Sequence, residues 1–125
     1  MSSESLHIAR EQLSAEARLL HYAITSLKEE LDAVDWYRQR ADDTEDAALR
    51  EVLLHNMREE VEHASMLLEW LRRNNADFEK FLRTYLFTEA PLTAVEKVAE
   101  GKADGEGGSG GTEQRGFTIG SLKRG

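Results

Sequence analysis

The stretch from His55 to His63 reads His-Asn-Met-Arg-Glu-Glu-Val-Glu-His and lies in the middle of a long helical pattern. It places the Glu60 carboxylate three residues before the His63 imidazole, on one side of a helix. Both residues belong to a line of side chains at heptad spacing that faces one side of the helix. The line consists of Leu49, Leu53, Asn56, Glu60, His63, Leu67 and Trp70, and apart from Asn56, Glu60 and His63 it is apolar. A carboxylate on a line that faces a partner helix needs a cation, a hydrogen-bond donor or water to compensate its charge. Glu60 and His63 are therefore candidate metal ligands, and a buried or half-exposed polar pair is the alternative.

The composition is typical of an all-helical body followed by a tail. All nine glycines lie at or after Gly101, and the single proline is Pro91, so the first 90 residues contain neither of the strongest breakers of regular structure. We expect a helical domain over residues 1–92, a transition and flexible Gly-rich linker over 93–115, and a terminal peptide over 116–125. The absence of cysteine excludes disulfides, thiolate metal sites and cysteine nucleophiles.

The charge of the chain limits its partners. The formal net charge is −8, and the tail from Gly101 carries one more positive than negative charge, so residues 1–100 carry −9. An acidic surface disfavours nucleic acid and concentrates cations. No apolar run approaches the roughly 18 residues of a membrane span, and the N-terminus does not look like a signal peptide. We expect a soluble cytoplasmic protein with no nucleic-acid or membrane partner.

Two long helices follow from the periodicity of apolar side chains. Ser14 is a candidate N-cap for a first helix that runs to about Arg40. Thr44 is a candidate N-cap for a second helix from about Glu45 to Arg73, where a basic pair suits a C-terminus. Because the connection is short, the two helices should form an antiparallel hairpin.

The remaining segments are shorter. Residues 1–12 show little periodicity and are expected to fray. A third helix over about residues 77–87 has an aromatic-rich face that could cap a subunit interface. Thr93 and Glu96 have the spacing of a capping box and predict one or two helical turns over residues 93–100.

The two long helices carry more apolar surface than a hairpin can bury. The second helix has an additional stripe beside its polar line, formed by Leu54, Met57, Val61, Ala64, Leu68 and Leu71. Since two helices cannot enclose a core, the pattern predicts self-association, most simply a two-fold dimer that forms a four-helix bundle.

The first helix carries a second carboxylate on an apolar line. Glu30 interrupts the line through Ala23, Leu27, Val34 and Tyr37. Di-metal carboxylate bundles take one Glu from each of two helices and a Glu-x-x-His from each of the other two, so this chain holds half of such a set. A two-fold axis would supply the other half, and a hydrogen-bonded cluster that fixes helix register is the alternative. Carboxylate and imidazole ligands suit iron, manganese or zinc, and a bridged pair with open positions suits iron redox chemistry.

Several neighbouring residues are weaker candidates. The Tyr37 hydroxyl could reach the site or a carboxylate beside it, or the ring could be a core aromatic. A face with Glu29, Asp32 and Trp36 could relay cations to the site or be an ordinary solvated face. His55 is a candidate for a residue that hydrogen-bonds to one of the metal ligands and does not itself bind the metal.

The sequence resembles the encapsulated ferritins over roughly residues 20–92. The similar runs are Glu29-Glu30-Leu31-Asp32-Ala33-Val34-Asp35-Trp36-Tyr37, His55-Asn56, Glu59-Glu60-Val61-Glu62-His63-Ala64, Leu68-Glu69-Trp70-Leu71-Arg72-Arg73 and Leu82-Arg83-Thr84-Tyr85-Leu86-Phe87-Thr88-Glu89. The resemblance implies a two-helix half-ferritin whose dimers build a di-iron ferroxidase centre and form a ring-shaped decamer.

The resemblance also assigns roles by position. It implies that Glu30, Glu60 and His63 bind iron, for which other divalent metals can substitute, with Tyr37 nearby. Glu29, Asp32 and Trp36 would form the site where metal enters. The family commonly has Glu where this chain has Asp32. The shorter side chain of Asp32 affects the expected strength of the entry site and not the ferroxidase centre.

The end of the tail resembles a cargo-loading peptide of encapsulin shells. Apolar side chains at Phe117, Ile119 and Leu122 stand out after the Gly-rich residues, and Gly120 and Ser121 lie between them. A flexible tether that ends in a short apolar segment suits docking in a groove, although a disordered end has the same composition. The resemblance implies an encapsulin shell as partner and the interior of a nanocompartment in the cytoplasm as location.

Together with these residues, the resemblance implies a ferroxidase that oxidises Fe(II) to Fe(III) with oxygen and delivers iron for storage inside the shell. A non-catalytic helical adaptor is the alternative from another class. Within redox chemistry, peroxide consumption or manganese use is a further alternative.

Overall fold

The computed structural model describes the backbone of residues 6–105 and the side chains of residues 6–101. This part of the chain contains a short 3-10 helix, Arg10–Gln12, and four α-helices: α1 (Ala15–Asp43), α2 (Ala47–Asn74), α3 (Ala76–Tyr85) and α4 (Leu92–Gly105). It contains no strand, which confirms the predicted all-α fold class. Within it, no helix combines the length and the apolar character needed to cross a membrane. The chain divides into two units, one holding α1 and α2 and the other α3 and α4.

The first unit is a hairpin of two long helices. With 29 and 28 residues, each helix is about 40 Å long at ~1.5 Å per residue. The two helices pack against each other and bury Ala23 and Ala41 of α1 and Ala64 and Leu71 of α2. Because three of these four residues are alanine, the helix backbones can approach closely. The predicted hairpin is confirmed.

The turn of the hairpin differs from the prediction by a few residues. Helix α1 continues to Asp43, and Thr44 is its C-cap. The predicted Thr44 cap of α2 is wrong, since Asp46 accepts the hydrogen bond from the Leu49 N–H at 2.9 Å. The physical reason is that the Thr44 backbone N–H donates to the Arg40 oxygen at 3.0 Å, so Thr44 still belongs to the end of α1. The Arg50 guanidinium also donates to the backbone oxygens of Ala41 and Thr44 and ties the first turn of α2 to the end of α1.

Residues 9–13, directly before α1, are held in place by hydrogen bonds. Ser14 is the N-cap of α1, as predicted, and accepts from the Ala17 N–H at 3.0 Å. The Arg18 guanidinium donates to the Leu13 oxygen at 2.7 Å and to the Arg10 oxygen at 3.2 Å. Arg10 in turn donates to the Tyr22 hydroxyl at 3.1 Å. The expected fraying is therefore wrong for residues 9–12.

The second unit begins at Asn75, which is the N-cap of α3. Its side-chain oxygen accepts a hydrogen bond from the Phe78 N–H at 2.9 Å. After α3, Phe87 has a φ of 63°, a left-handed conformation that is costly for a residue with a side chain. Helix α4 starts directly after Pro91, whose oxygen accepts from the Val95 N–H at 3.0 Å. The predicted capping box is therefore wrong, and the helix is longer than the one or two turns expected.

Many large apolar side chains of the described chain remain exposed to solvent. In the first unit they include Leu19, Leu31, Trp36, Leu49, Val52, Val61, Met66 and Trp70, and in the second Phe81, Leu86, Phe87, Leu92 and Val98. Among the described residues only four apolar side chains are buried, and Leu71 is the only large one. A chain with so small a core resembles half of a bundle, which is what the predicted self-association requires.

Candidate metal centre

The hairpin brings Glu30, Glu60 and His63 together. Glu30 comes from α1, and Glu60 and His63 come from successive turns of α2. His63 Nδ1 lies 3.0 Å from Glu60 Oε1 and 3.5 Å from Glu30 Oε1. One ligand atom from each residue lies within 4.8 Å of the other two, and no other group of three potential ligands in the described chain is so close. The predicted contact between the polar lines of the two helices is therefore present in a single chain.

The cluster is half-buried rather than enclosed. The side chains of Glu30 and Glu60 are 26% and 24% exposed, and that of His63 is 43% exposed. The walls of the hairpin therefore cover one side of each group and leave the other side open. An ion can reach the three ligand atoms, and a second protein surface can approach them as well.

Close approach of the two carboxylates shifts their pKa values in opposite directions. A hydrogen bond to Glu60, together with burial and the Glu60 charge, raises the pKa of Glu30. The same hydrogen bond and the bond to His63 lower the pKa of Glu60. The pKa of His63 is raised, chiefly by its hydrogen bond to Glu60. A cation at this cluster would meet two carboxylate oxygens and one imidazole nitrogen, for which it would compete with protons.

This donor set fits a first-row transition metal. Two oxygen ligands and one nitrogen ligand suit iron, manganese and zinc, whereas calcium prefers oxygen ligands alone. Three ligands also leave positions on the ion for water, for a bridging group or for ligands from another chain. The hairpin alone therefore provides part of a coordination shell.

Tyr37 lies two turns beyond Glu30 on the same helix. Its ring is half-buried, and the Arg40 guanidinium carbon lies over it, 5.7 Å from the ring centroid. This contact is compatible with both interpretations of Tyr37, a core aromatic and a group near the metal. The predicted role of Tyr37 near the site stays a prediction.

The other candidate residues lie outside the three-residue cluster. Glu29, Asp32 and Trp36 are exposed on α1, as a site facing solvent requires. His55 is also exposed, and its Nε2 lies 4.0 Å from Glu59 Oε2 on the outer side of α2. The tail residues Phe117, Ile119, Gly120, Ser121 and Leu122 lie outside the described part of the chain. All of these assignments remain predictions.

One charged cluster was not predicted from the sequence. Glu69 accepts from Arg72 at 2.7–2.8 Å through both of its oxygens, and it accepts from Arg73 at 2.7 Å. These bonds lower the pKa of Glu69 to about 2. The signal was present in the sequence, since a glutamate three and four residues before two arginines on a helix is placed to pair with both.

The fold and the cluster together define a class of protein. An antiparallel hairpin with a large exposed apolar surface, a glutamate on one helix and a Glu-x-x-His on the other has the elements expected of half of a ferritin-like carboxylate bundle. The EncFtn-like family matches residues 5–89, which is more than half of the chain. The chain belongs to the EncFtn-like family.

Relatives agree with this placement. The chain is similar to the encapsulated ferritin-like protein of Rhodospirillum rubrum, with 51% identity over 98% of this chain and 90% of the relative. It is also similar to a ferritin-like protein of Thermotoga maritima, with 45% identity over 85% of this chain and 93% of the relative. A crystal structure of a Nitrosomonas europaea protein matches with a TM-score of 0.68 and 49% identity, over 70% of this chain and 97% of that one. The predicted resemblance to encapsulated ferritins is confirmed.

Proposed function

We propose that the protein is a ferroxidase that oxidises Fe(II) to Fe(III) with oxygen at a di-iron centre. Glu30, Glu60 and His63 would bind the iron, which is the substrate of the reaction. The observation that carries the proposal is the position of their three ligand atoms, within 4.8 Å of one another on an open face of the hairpin. Membership of the EncFtn-like family, with its ferritin-like relatives, supports iron as the metal.

Two copies of the chain would complete the centre. One chain offers two carboxylates and one imidazole, which is half of the ligand set of a di-metal carboxylate bundle. The three side chains are 24–43% exposed, so a second hairpin can approach them. The exposed apolar side chains of α1 and α2 give this association its driving force. From the resemblance we expect these dimers to form a ring-shaped decamer.

The remaining residues would serve the same reaction. Tyr37 would lie beside the centre, and Glu29, Asp32 and Trp36 would bind iron on its way in. Their exposure on α1 suits contact with ions from solvent. Both carboxylates would bind iron as anions, so iron would compete with protons at Glu30, whose pKa is raised chiefly by its hydrogen bond to Glu60.

An encapsulin shell would hold the oxidised iron. A relative with 51% identity is named an encapsulated ferritin-like protein, which supports a shell as partner for this chain. We propose that residues 116–125 dock on the inner wall of the shell in the cytoplasm. Deleting Phe117 to Gly125 should abolish loading into co-expressed shells and leave the rate of iron oxidation unchanged. A truncated chain that is loaded normally would remove this role from the tail.

Aerobic addition of Fe(II) tests the proposed reaction. The parent should give a rise in ferric absorbance well above that of buffer, and Glu30→Ala, Glu60→Ala and His63→Ala should each lose it. Glu59→Gln is the matched control, because it changes the charge of the adjacent residue on the outer side of α2. If all three site variants oxidise iron like the parent, the assignment of the centre is wrong.

The same experiment addresses the alternative functions. A parent chain that loads into shells and gives no ferric absorbance would be a non-catalytic adaptor, with its polar cluster fixing helix register. A chain that oxidises iron with peroxide in preference to oxygen, or that turns over manganese, would differ in the stoichiometry of the oxidant consumed.

A further inference from the structure

We propose that the end of the tail, residues 115–125, docks on the exposed apolar face of α4 in its own chain until a shell binds it. The contact with α4 does not depend on ferroxidase activity, whereas its exchange for the shell rests on the proposed function. The consequence is that loading is a competition, in which the groove of the shell has to displace the tail from α4.

The face of α4 is the first observation. Val95 and Ala99 are half-buried, and positions three and four residues apart share one side of a helix. Leu92 and Val98 flank these two residues and are 61% and 57% exposed. The described chain thus covers the middle of the apolar face and leaves both flanks open to solvent.

This face is separate from the surfaces assigned to assembly. The exposed side chains of α1 and α2 drive the proposed dimer, and the aromatic face of α3 was expected to cap a subunit interface. The EncFtn-like match ends at residue 89, before α4 begins at Leu92. The apolar face of α4 therefore lies outside both the proposed dimer and the matched family domain, and covering it releases free energy.

The charge beside this face is the second observation. Glu96 and Glu100 lie four residues apart on α4, and both are exposed. In the described chain neither forms an ion pair. Like charges at this spacing destabilise a helix, so a positively charged segment that lies along this edge stabilises α4.

The end of the tail complements the face in both respects. Its apolar side chains are Phe117, Ile119 and Leu122, which suit an apolar surface. The charged side chains of residues 115–125 are all positive and are those of Arg115, Lys123 and Arg124. A peptide of this composition can place apolar groups on the face and cations beside the two glutamates.

The length of the intervening chain allows the contact. Residue 117 follows residue 105 by twelve positions, which span at most about 40 Å at ~3.3–3.6 Å per residue. Helix α4 has 14 residues and is about 21 Å long. The peptide can therefore turn back and reach either flank of the face, and the short tether gives it an effective concentration of about 1 mM.

Hydrogen exchange of the full-length protein tests the contact. The parent is compared with a variant in which Phe117, Ile119 and Leu122 are all replaced by serine. Amides of α4 should exchange at least about threefold faster in the variant, since the tethered peptide covers α4 for most of the time in the parent. Amides of α1 should be unchanged. In parent protein loaded into shells, α4 should exchange as it does in the serine variant.

Cross-linking identifies the chain that supplies the tail. Unlabelled and ¹⁵N-labelled chains are mixed in denaturant and refolded, so that links within one chain join like isotopes only. A carbodiimide, which joins a carboxylate to an amine with loss of water, should link Lys123 to Glu96 or Glu100. Val98→Ser should lower the yield by at least about threefold, because it removes apolar contact area. Ala94→Ser, exposed on the opposite side of α4, is the matched control and should keep the yield.

The outcomes separate this inference from the proposed function. If α4 exchanges equally in the parent and the serine variant, the docking on α4 is overturned, whatever the result of loading. If unlike isotopes are linked as often as like ones, the occupant is a second copy and the intramolecular contact is overturned. If α4 is protected and the parent is not loaded into co-expressed shells, the contact with α4 stands and the exchange for the shell is overturned.

Discussion

Replacing Glu60 by glutamine would remove one carboxylate of the proposed metal centre and preserve the shape of the side chain. Glu60 Oε1 accepts from His63 Nδ1 at 3.0 Å and belongs to the one group of three close ligands in the described chain. After the substitution, Glu30 and His63 are the two potential metal ligands that remain unchanged. An amide oxygen is a weaker ligand for a transition metal than a carboxylate.

The expected magnitude follows from the number of ligands lost. Removing a hydrogen-bonding partner behind a metal ligand typically weakens binding by about 10- to 100-fold, so losing one of three direct ligands should weaken it by at least about 100-fold. Glu59→Gln removes the same charge from the neighbouring residue, which faces His55 on the outer side of α2. Since exposed charges contribute little, its effect on affinity should stay within about threefold.

Isothermal titration with Zn²⁺ measures this difference without redox chemistry. The parent and both variants are titrated at the same pH, and circular dichroism verifies that each retains its helix content. The strongest zinc site should be present in the parent and in Glu59→Gln, with reduced affinity in Glu60→Gln.

One result would refute the metal site. If Glu60→Gln binds zinc within about threefold of Glu59→Gln, the cluster is not the ligand set. A hydrogen-bonded cluster that fixes helix register would then remain, and Glu60→Gln would lower the melting temperature without changing zinc affinity.

Three further predictions concern stability. Leu71 is 0% exposed, so Leu71→Ala should lower the free energy of unfolding by about 2–5 kcal/mol, measured as a shift of the denaturant midpoint. Gly101 lies in α4 with open space where a Cβ would be, so Gly101→Ala should stabilise that helix by about 0.5–1 kcal/mol, seen as slower amide exchange in α4. The Glu69 pKa of about 2 lies below its ordinary value, so its contribution to stability is complete above about pH 4.5 and is lost as the pH falls toward about 2. The difference in melting temperature between the parent and Glu69→Gln should therefore be constant above about pH 5 and shrink on acidification; a difference independent of pH would contradict this.

The periodic part of the sequence predicts the structure well. Apolar spacing identified both long helices, and the polar residues that interrupt two apolar lines identified Glu30, Glu60 and His63. These inferences depend on the regular geometry of a helix, in which a residue's neighbours on the surface follow from its number. The antiparallel pairing of α1 and α2 could also be predicted, because the connection between them is too short for any other arrangement.

The ends of the helices could not be predicted as well, because contacts between distant residues decide them. Thr44 and Asp46 are both good caps by local rules, but the Thr44 N–H closes the last turn of α1 on the Arg40 oxygen, which leaves Asp46 to cap α2. The segment before α1 is held by Arg10 bound to Tyr22, twelve residues away. Neither contact belongs to a repeating pattern, so no spacing rule reveals it.

The location of the cluster along the hairpin has a practical consequence. Glu30 is fifteen residues from the first residue of α1 and thirteen from its last, and Glu60 is thirteen and fourteen residues from the two ends of α2. Helices loosen from their termini inward, so both glutamates lie about 20 Å from the nearest place where unwinding starts. Fusions, tags or a longer turn at the tip of the hairpin should therefore leave the three ligand atoms in register, which makes the tip a safe point for engineering.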